Sequence, residues 1–130
     1  MIIDITNEIY TTLKTLLTGV DVRKAYPKTV PSFPCVIFQE IGNSNHADTH
    51  DTAGDHHSDL MFEVNIFSQA EDPEEEIKGI RTIIDTLISG NYNMNRDDGR
   101  PLDNLVDNTV TRYILRYSAT IDSNKKIYRG

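Results

Sequence analysis

Two stretches decide the fold: Cys35-Val-Ile-Phe-Gln-Glu-Ile41 and Leu60-Met-Phe-Glu-Val-Asn-Ile-Phe67. The first is rich in β-branched and aromatic residues, which is typical of a well-buried strand. The second alternates, so one face carries a continuous apolar row: Leu60, Phe62, Val64 and Ile66. Such alternation predicts a strand that packs on a core. The two strands are most simply a hairpin with a very long connection.

An amphipathic helix is predicted over residues 2–18, before this hairpin. Apolar residues recur there at steps of three and four, which places them on one helical face: Ile2, Ile5, Ile9, Leu13, Leu16 and Leu17. Gly19 follows as a natural C-terminal stop.

A second helix is predicted to begin at Asp72-Pro-Glu-Glu75. The Asp72 carboxylate can accept from the amide three residues on, and Pro73 suits the first turn. The buried stripe of this helix is predicted to be Ile77, Ile80, Ile84, Leu87 and Ile88, with Gly90 closing the helix. Gly79 costs about 1 kcal/mol relative to Ala, and we expect close packing on the sheet to offset that cost.

The remaining segments complete an α+β fold. Residues 22–26 predict a short strand, residues 91–107 a turn-rich segment centred on Asp98-Gly-Arg-Pro101, and residues 109–121 a last strand. We therefore predict one domain over 1–130: a mostly antiparallel β-sheet with two amphipathic helices packed on one face and a long hairpin loop. The loop over 43–58 is predicted to be flexible, and the C-terminal tail over 123–130 to be loose.

Composition excludes several classes of protein. The net charge of −7 argues against a surface that wraps nucleic acid. The single cysteine, Cys35, cannot form an internal disulfide, so a reducing compartment is expected. The N-terminus lacks a signal-peptide pattern, and no apolar run approaches the roughly 18 residues that span a bilayer. We expect no membrane association.

All four histidines fall between residues 45 and 57, among several aspartates. Imidazole and carboxylate groups are common zinc ligands, so His46, His50 and His56 could form a metal site. The spacing matches no familiar motif, however, and Gly54 is a poor helix former. A solvated loop whose charge changes near pH 6–6.5 is the favoured interpretation, and we predict no metal and no other cofactor.

Catalysis finds little support in the sequence. Cys35 lies in an apolar run, where thiols are inert, and neither a nucleophile elbow nor a Gly-rich phosphate loop is present. The acids at residues 74–76 are explained by the helix start. We predict no catalytic residues and no enzyme activity.

The last strand interleaves basic and aromatic residues: Arg112, Tyr113, Arg116 and Tyr117. Such a pattern could contact single-stranded nucleic acid. The favoured interpretation is a strand with core on one face and salt bridges on the other.

Assembly remains as the role that the sequence favours, because a loop beyond about 15 residues is unusual in so small a domain. Open strand edges could also pair between subunits. The predicted assembly-contact loop contains His46, Asp48, His50, Asp51, Asp55, His56 and His57. The predicted C-terminal contacts are Arg112, Arg116, Lys125, Lys126 and Arg129.

The layout resembles the small tail-completion (tail-terminator) proteins of long-tailed bacteriophages. The resemblance rests on element order and on Pro31-Ser-Phe-Pro-Cys-Val-Ile-Phe38, Phe62-Glu-Val-Asn-Ile-Phe67, the Pro-Glu-Glu helix and Tyr113-Ile-Leu-Arg-Tyr117. It implies a non-enzymatic virion protein that forms a ring, usually a hexamer, on the tail tube. The implied partners are other copies of the chain, the major tail tube protein and the head-completion (connector) protein, with genomic DNA passing through the lumen without specific binding. The implied location is the virion, and the host cytoplasm during assembly.

Other functions stay open at this point. A neighbouring neck component, such as a head-closure or minor capsid protein, has similar size and layout. A metal-binding domain that uses the His/Asp loop and a host regulatory or binding domain are the further alternatives.

Overall fold

The computed structural model of the protein describes residues 5–24, 32–45, 57–102, 109–122 and 127–128. The elements follow in this order: α1 (Thr6–Leu16), β1 (Asp21–Arg23), β2 (Cys35–Asn45), β3 (His57–Ser68), α2 (Pro73–Asp85), a π-helical turn (Thr86–Asn91), β4 (Asn95–Leu102), β5 (Thr111–Asp122) and β6 (Ile127–Tyr128). No helix in these ranges is long and apolar enough to cross a membrane.

The strands form one six-stranded sheet in the order β1-β2-β3-β5-β4, with β6 pairing β5. Only β1 and β2 run parallel, and the other described pairs are antiparallel. β2 and β3 form the predicted hairpin, and β3 pairs with β5 along its whole length, from His57 to Ser68. The predicted α+β class with a mostly antiparallel sheet is confirmed.

Both helices pack on the same face of the sheet, as predicted. The apolar row of β3 is fully buried there, and Phe38 stacks on Phe62 with ring centroids 5.0 Å apart. The helices contribute buried residues to the same core: Ile5, Ile9, Leu13, Ile77, Ile80, Ile84, Leu87 and Ile88. We call the opposite side of the sheet the open face, since none of the described helices packs on it.

α2 begins as its sequence predicts. The Asp72 carboxylate accepts a hydrogen bond from the amide of Glu75 at 3.3 Å, and Pro73 occupies the first turn. The Ser68 hydroxyl donates to Glu76 at 2.7 Å, which ties the end of β3 to the helix. Sequence and structure agree on the helix start because all of these contacts are local.

The end of α2 differs from the prediction. Gly90 does not close the helix, because the chain continues as the π-helical turn, with Met94 N–H bonded to the carbonyl of Ile88 at 3.0 Å. Gly79 is exposed, and a Cβ added there would meet no atom within 4 Å. The expectation that Gly79 packs closely on the sheet was therefore wrong.

α1 also departs from its predicted stripe at one position. Leu16 is 46% exposed, whereas Leu17, just past the helix end, is 3% exposed. Leu17 continues the buried row of Ile9 and Leu13 at four-residue spacing, and its N–H still bonds to the carbonyl of Leu13 at 2.8 Å. Gly19 follows with a φ of 79°, a conformation that glycine adopts without strain. Ile2 lies outside the described residues.

The segment over 91–107 was predicted to be turn-rich, and that was wrong for Asn95–Leu102, which forms β4. β4 lies at the end of the sheet order, where charged residues and proline are tolerated. A register shift between Arg96 and Asp98 inserts a bulge. The residue types of β4, with Asn, Asp, Gly and Pro, are those common in turns, which explains the wrong prediction.

Three further boundaries need correction. β2 continues to Asn45 and β3 begins at His57, so the loop predicted over 43–58 is a strand at both ends. Ile127–Tyr128 pairs with Thr120 and Ile121 of β5, so the tail predicted to be loose over 123–130 contains a short strand. The strand predicted over 22–26 is observed as Asp21–Arg23, and residues 25–26 lie outside the described ranges.

Candidate functional site

The predicted contact residues fall into two groups. Arg112 and Arg116 lie in β5, and His57 is the first residue of β3, opposite Asp122. The others lie outside the described residues: His46, Asp48, His50, Asp51, Asp55, His56, Lys125, Lys126 and Arg129. Their role in assembly stays a prediction.

β2 and β3 remain paired up to the residues that connect them, 46–56, and we call this end of the two strands the hairpin base. Asn43, Ser44 and Asn45 face Leu60, Asp59 and Ser58 in register. β3 continues to pair with β5 here, and the Thr120 hydroxyl donates to Asp59 at 2.7 Å. Pairing with β5 fixes β3, so the polar end of β2 can continue along it although its own sequence lacks an apolar pattern.

An irregularity in β2 presents two apolar side chains at this base. The register shift after Glu40 places Ile41 and Gly42 together opposite Met61. Ile41 is 46% exposed and Met61 44% exposed, whereas most large apolar side chains among the described residues are buried. The Met61 side chain lies over Gly42, since a Cβ at Gly42 would meet the sulfur at 3.7 Å. We call Ile41 and Met61 the hairpin-base patch.

A hydrogen-bonded network crosses the open face from β5 to β3. Arg112 donates from Nε and Nη2 to Oδ1 of Asn65, at 2.9 and 2.7 Å. The Asn65 amide donates to Oε1 of Glu63 at 2.9 Å, and Arg116 Nε lies 3.3 Å from Glu63 Oε2. Asn65 is fully buried, so its partners satisfy a group that would otherwise be costly to bury.

β5 has core on one face, as the favoured interpretation predicted, and on the other face Arg116 forms a salt bridge with Glu63 while Arg112 bonds to the neutral amide of Asn65. Tyr117 is buried in the core, and Tyr113 packs against it. The Arg112 guanidinium also lies 5.6 Å from the centroid of the Phe67 ring. The two arginines are thus held within the chain, with the Arg116 side chain 41% exposed.

The alternation of β3 places Asn65 on the face opposite Phe62 and Val64, as observed, but it does not identify a partner for the Asn65 side chain. Its bond to Arg112 joins positions that are far apart in sequence, so only the β3–β5 register reveals it. A lone amide inside an apolar strand was the available signal.

Cys35 is fully buried at the start of β2. Burial raises the pKa of its thiol to about 11, with the nearby Asp21 carboxylate adding to the effect. The thiolate is therefore scarce at neutral pH, and Cys35 has the character of a structural side chain.

A groove of about 610 Å³ separates α2 from β4. Across it, Arg96 Nη1 lies 3.4 Å from Asp85 Oδ2, while Asp85 Oδ1 accepts from the Tyr117 hydroxyl at 3.0 Å. Burial, and then the Asp85 carboxylate, raise the pKa of Tyr117 above its usual range. On the helix wall, the Arg81 guanidinium lies 5.0 Å from the Tyr113 ring centroid. The charged groups of this groove thus lie close to groups of the same chain, which stabilises the α2–β4 contact.

The described ranges contain no group of three or more His, Cys, Asp or Glu side chains that could hold a metal ion. The three histidines of the predicted metal alternative, His46, His50 and His56, lie outside these ranges.

No protein-family model matches the sequence, and no curated protein matches it at a significant level.

Proposed function

We propose that the protein is a non-enzymatic structural protein of a phage virion, a tail terminator that forms a ring at the head-proximal end of the tail tube. The ring ends tube polymerisation and docks the tail onto the head connector. Its partners are other copies of the chain, the major tail tube protein and the head-completion protein. Genomic DNA passes through the lumen without specific binding.

The hairpin-base patch is the observation that carries this proposal. Ile41 and Met61 are exposed at facing positions of a paired ribbon, and the other exposed large apolar side chains among the described residues, Leu16 and Ile83, lie on the helices. Exposed apolar groups that are grouped together are typical of interaction surfaces. The ribbon leads directly into residues 46–56, which contain six of the seven residues of the predicted assembly-contact loop.

Two further features support the proposal. The elements on which the resemblance to tail terminators rests, helix, strand, hairpin, helix and closing strand, follow one another in the fold, with β4 inserted before the closing strand and β6 added after it. The net charge of −7 suits a wall along which DNA slides, because a negative surface does not retain phosphates.

The first experiment compares Met61→Glu with Leu16→Glu. Leu16 is a matched control because it is 46% exposed, like Met61 at 44%, but belongs to a helix on the other side of the sheet. The purified proteins are added to tubes assembled from the tail tube protein encoded in the same genome, and the tube ends are imaged by negative stain. The native chain and Leu16→Glu should cap one tube end with a ring, and Met61→Glu should leave most ends bare.

A second variant tests the hairpin connection itself. Residues 46–56 are replaced by Asn-Gly, which favours a tight turn between paired strands. We expect the domain to fold, because the sequence over 46–56 carries no apolar stripe, and ring assembly to fail. Loss of folding would show that the connection stabilises the domain and would contradict its role as a contact segment.

The same assays separate the alternatives. A protein that binds connector but not tube ends would be another neck component. For the metal-binding alternative, elemental analysis of protein purified without a His tag should find about one metal per chain. A strict monomer at all concentrations, with no ring on added tubes, would contradict the proposal.

A further inference from the structure

The outer edge of β4 presents backbone groups to solvent. β4 is the last strand in the sheet order, and Asp97, Gly99, Arg100 and Pro101 are all exposed. Among the described strands, none pairs with this edge between Asp97 and Pro101. Such an edge can accept another strand.

The register of β4 on β5 shows which backbone groups point outward. Pro101 faces Tyr113, and proline has no N–H to donate to β5, so Pro101 occupies a position whose backbone groups point away from β5. Orientation alternates along an antiparallel strand. Gly99, two residues earlier and opposite Leu115, therefore directs both its N–H and its C=O outward.

The charges on either side of Gly99 are opposite. Asp98 and Arg100 lie on the open face, and Arg100 Nε lies 3.2 Å from Asp98 Oδ2. Their side chains are 38% and 56% exposed, respectively, so both can reach a partner. The sequence Asp-Gly-Arg thus becomes self-complementary when an identical strand runs antiparallel to it.

We propose that two copies of the protein pair antiparallel through β4 about a two-fold axis at Gly99, with Asp98 of each copy facing Arg100 of the partner subunit. Gly99 N–H and C=O bond to Gly99 of the partner subunit, in both directions. Asp98 and Arg100 then occupy a closely spaced, non-hydrogen-bonded pair, where opposite charges attract. The glycine leaves the centre of the contact free of side chains.

Other features of β4 restrict this contact to a short segment. The bulge after Arg96 ends regular pairing on one side, and Pro101 offers only its carbonyl on the other. A strand that places a like charge opposite Asp98 or Arg100 is disfavoured, because like charges directly opposite each other are destabilising. A second copy of the chain, running antiparallel, places opposite charges at both positions.

This pairing does not depend on the proposed function. An isologous contact closes after two copies, whereas a ring needs a heterologous contact that repeats. The hairpin-base patch and the β4 edge can therefore act independently.

The test is a charge swap measured by sedimentation equilibrium over a concentration series. Arg100→Asp places Asp98 opposite an aspartate and should weaken the dimer roughly tenfold or more. The double variant Asp98→Arg with Arg100→Asp restores opposite charges and should recover dimerisation. Lys78→Asp, an exposed charge reversal on α2, should leave the dimer unchanged, and circular dichroism confirms that each variant is folded.

Three results would overturn the proposal: a native chain that stays monomeric up to millimolar concentration, Arg100→Asp with native affinity, or a double variant as weak as the single one. Arg100→Asp should still cap tail tubes. Failure of the β4 contact and failure of the ring are thus observed separately.

Discussion

Replacing Asn65 by alanine tests the role of the network on the open face. The substitution removes the oxygen that accepts two hydrogen bonds from Arg112 and the amide that donates to Glu63. Asn65 is fully buried, so water does not readily reach its position to replace these hydrogen bonds.

The expected cost follows from these bonds. Hydrogen bonds to charged groups contribute about 1.5–3 kcal/mol each. The two Arg112 bonds converge on one oxygen and count as one interaction, and Glu63 supplies a second. Arg112 and Glu63 are only partly buried and regain water, which favours the lower value for each. We therefore expect Asn65→Ala to lower the free energy of unfolding by about 3 kcal/mol, or the melting temperature by roughly 10 °C.

Urea unfolding followed by far-ultraviolet circular dichroism measures this loss, because the chain has no tryptophan to report by fluorescence. Gln69→Ala is the control, since Gln69 is exposed just after β3 and should change stability by less than about 0.5 kcal/mol. If Asn65→Ala cost less than about 1 kcal/mol, the network would not stabilise the sheet and the reasoning would fail.

Two further predictions concern single residues. Gly79→Ala should stabilise the protein by about 1 kcal/mol, because the exposed helix position has room for a Cβ. By contrast, Gly99→Ala should destabilise the protein, because a Cβ at Gly99 would lie 3.0 Å from Leu115 Cδ2. Equal effects of the two substitutions in urea unfolding would contradict both predictions. The Cys35 thiol should resist a disulfide reagent at pH 8 until the chain unfolds. Rapid labelling of the folded protein at pH 8 would contradict this resistance. The pKa of the Cys35 thiol is about 11 in the folded state against 9.0 ordinarily, so the thiol loses its proton at lower pH in the unfolded chain. The free energy of unfolding should therefore fall as the pH rises from 9 to 11.

Local patterns in the sequence were sufficient for the two helices and the central strands. The Asp72 cap and the alternation of β3 are set by neighbouring residues, so both were predicted correctly. The ends of elements were less predictable. β2 continues through Asn43–Asn45 because β3 is already fixed by β5, which is a tertiary effect.

The edge strand and the polar network could not be predicted for a related reason. Asp98-Gly-Arg-Pro101 has turn chemistry, and only its place at the sheet edge allows it to be a strand. The contact of Arg112 with Asn65 and that of Asp85 with Tyr117 join distant parts of the chain. The hairpin-base patch depends on a bulge at Ile41 that leaves no clear sequence pattern.

The length of tail tubes grown with and without the protein tests the proposed function most directly. Tubes are assembled from the tube protein of the same genome, the protein is added during growth, and electron micrographs record tube length and end structure. A terminator should stop growth and leave a ring at one end of each tube. Tubes that continue to grow at saturating protein, with both ends bare, would contradict the account.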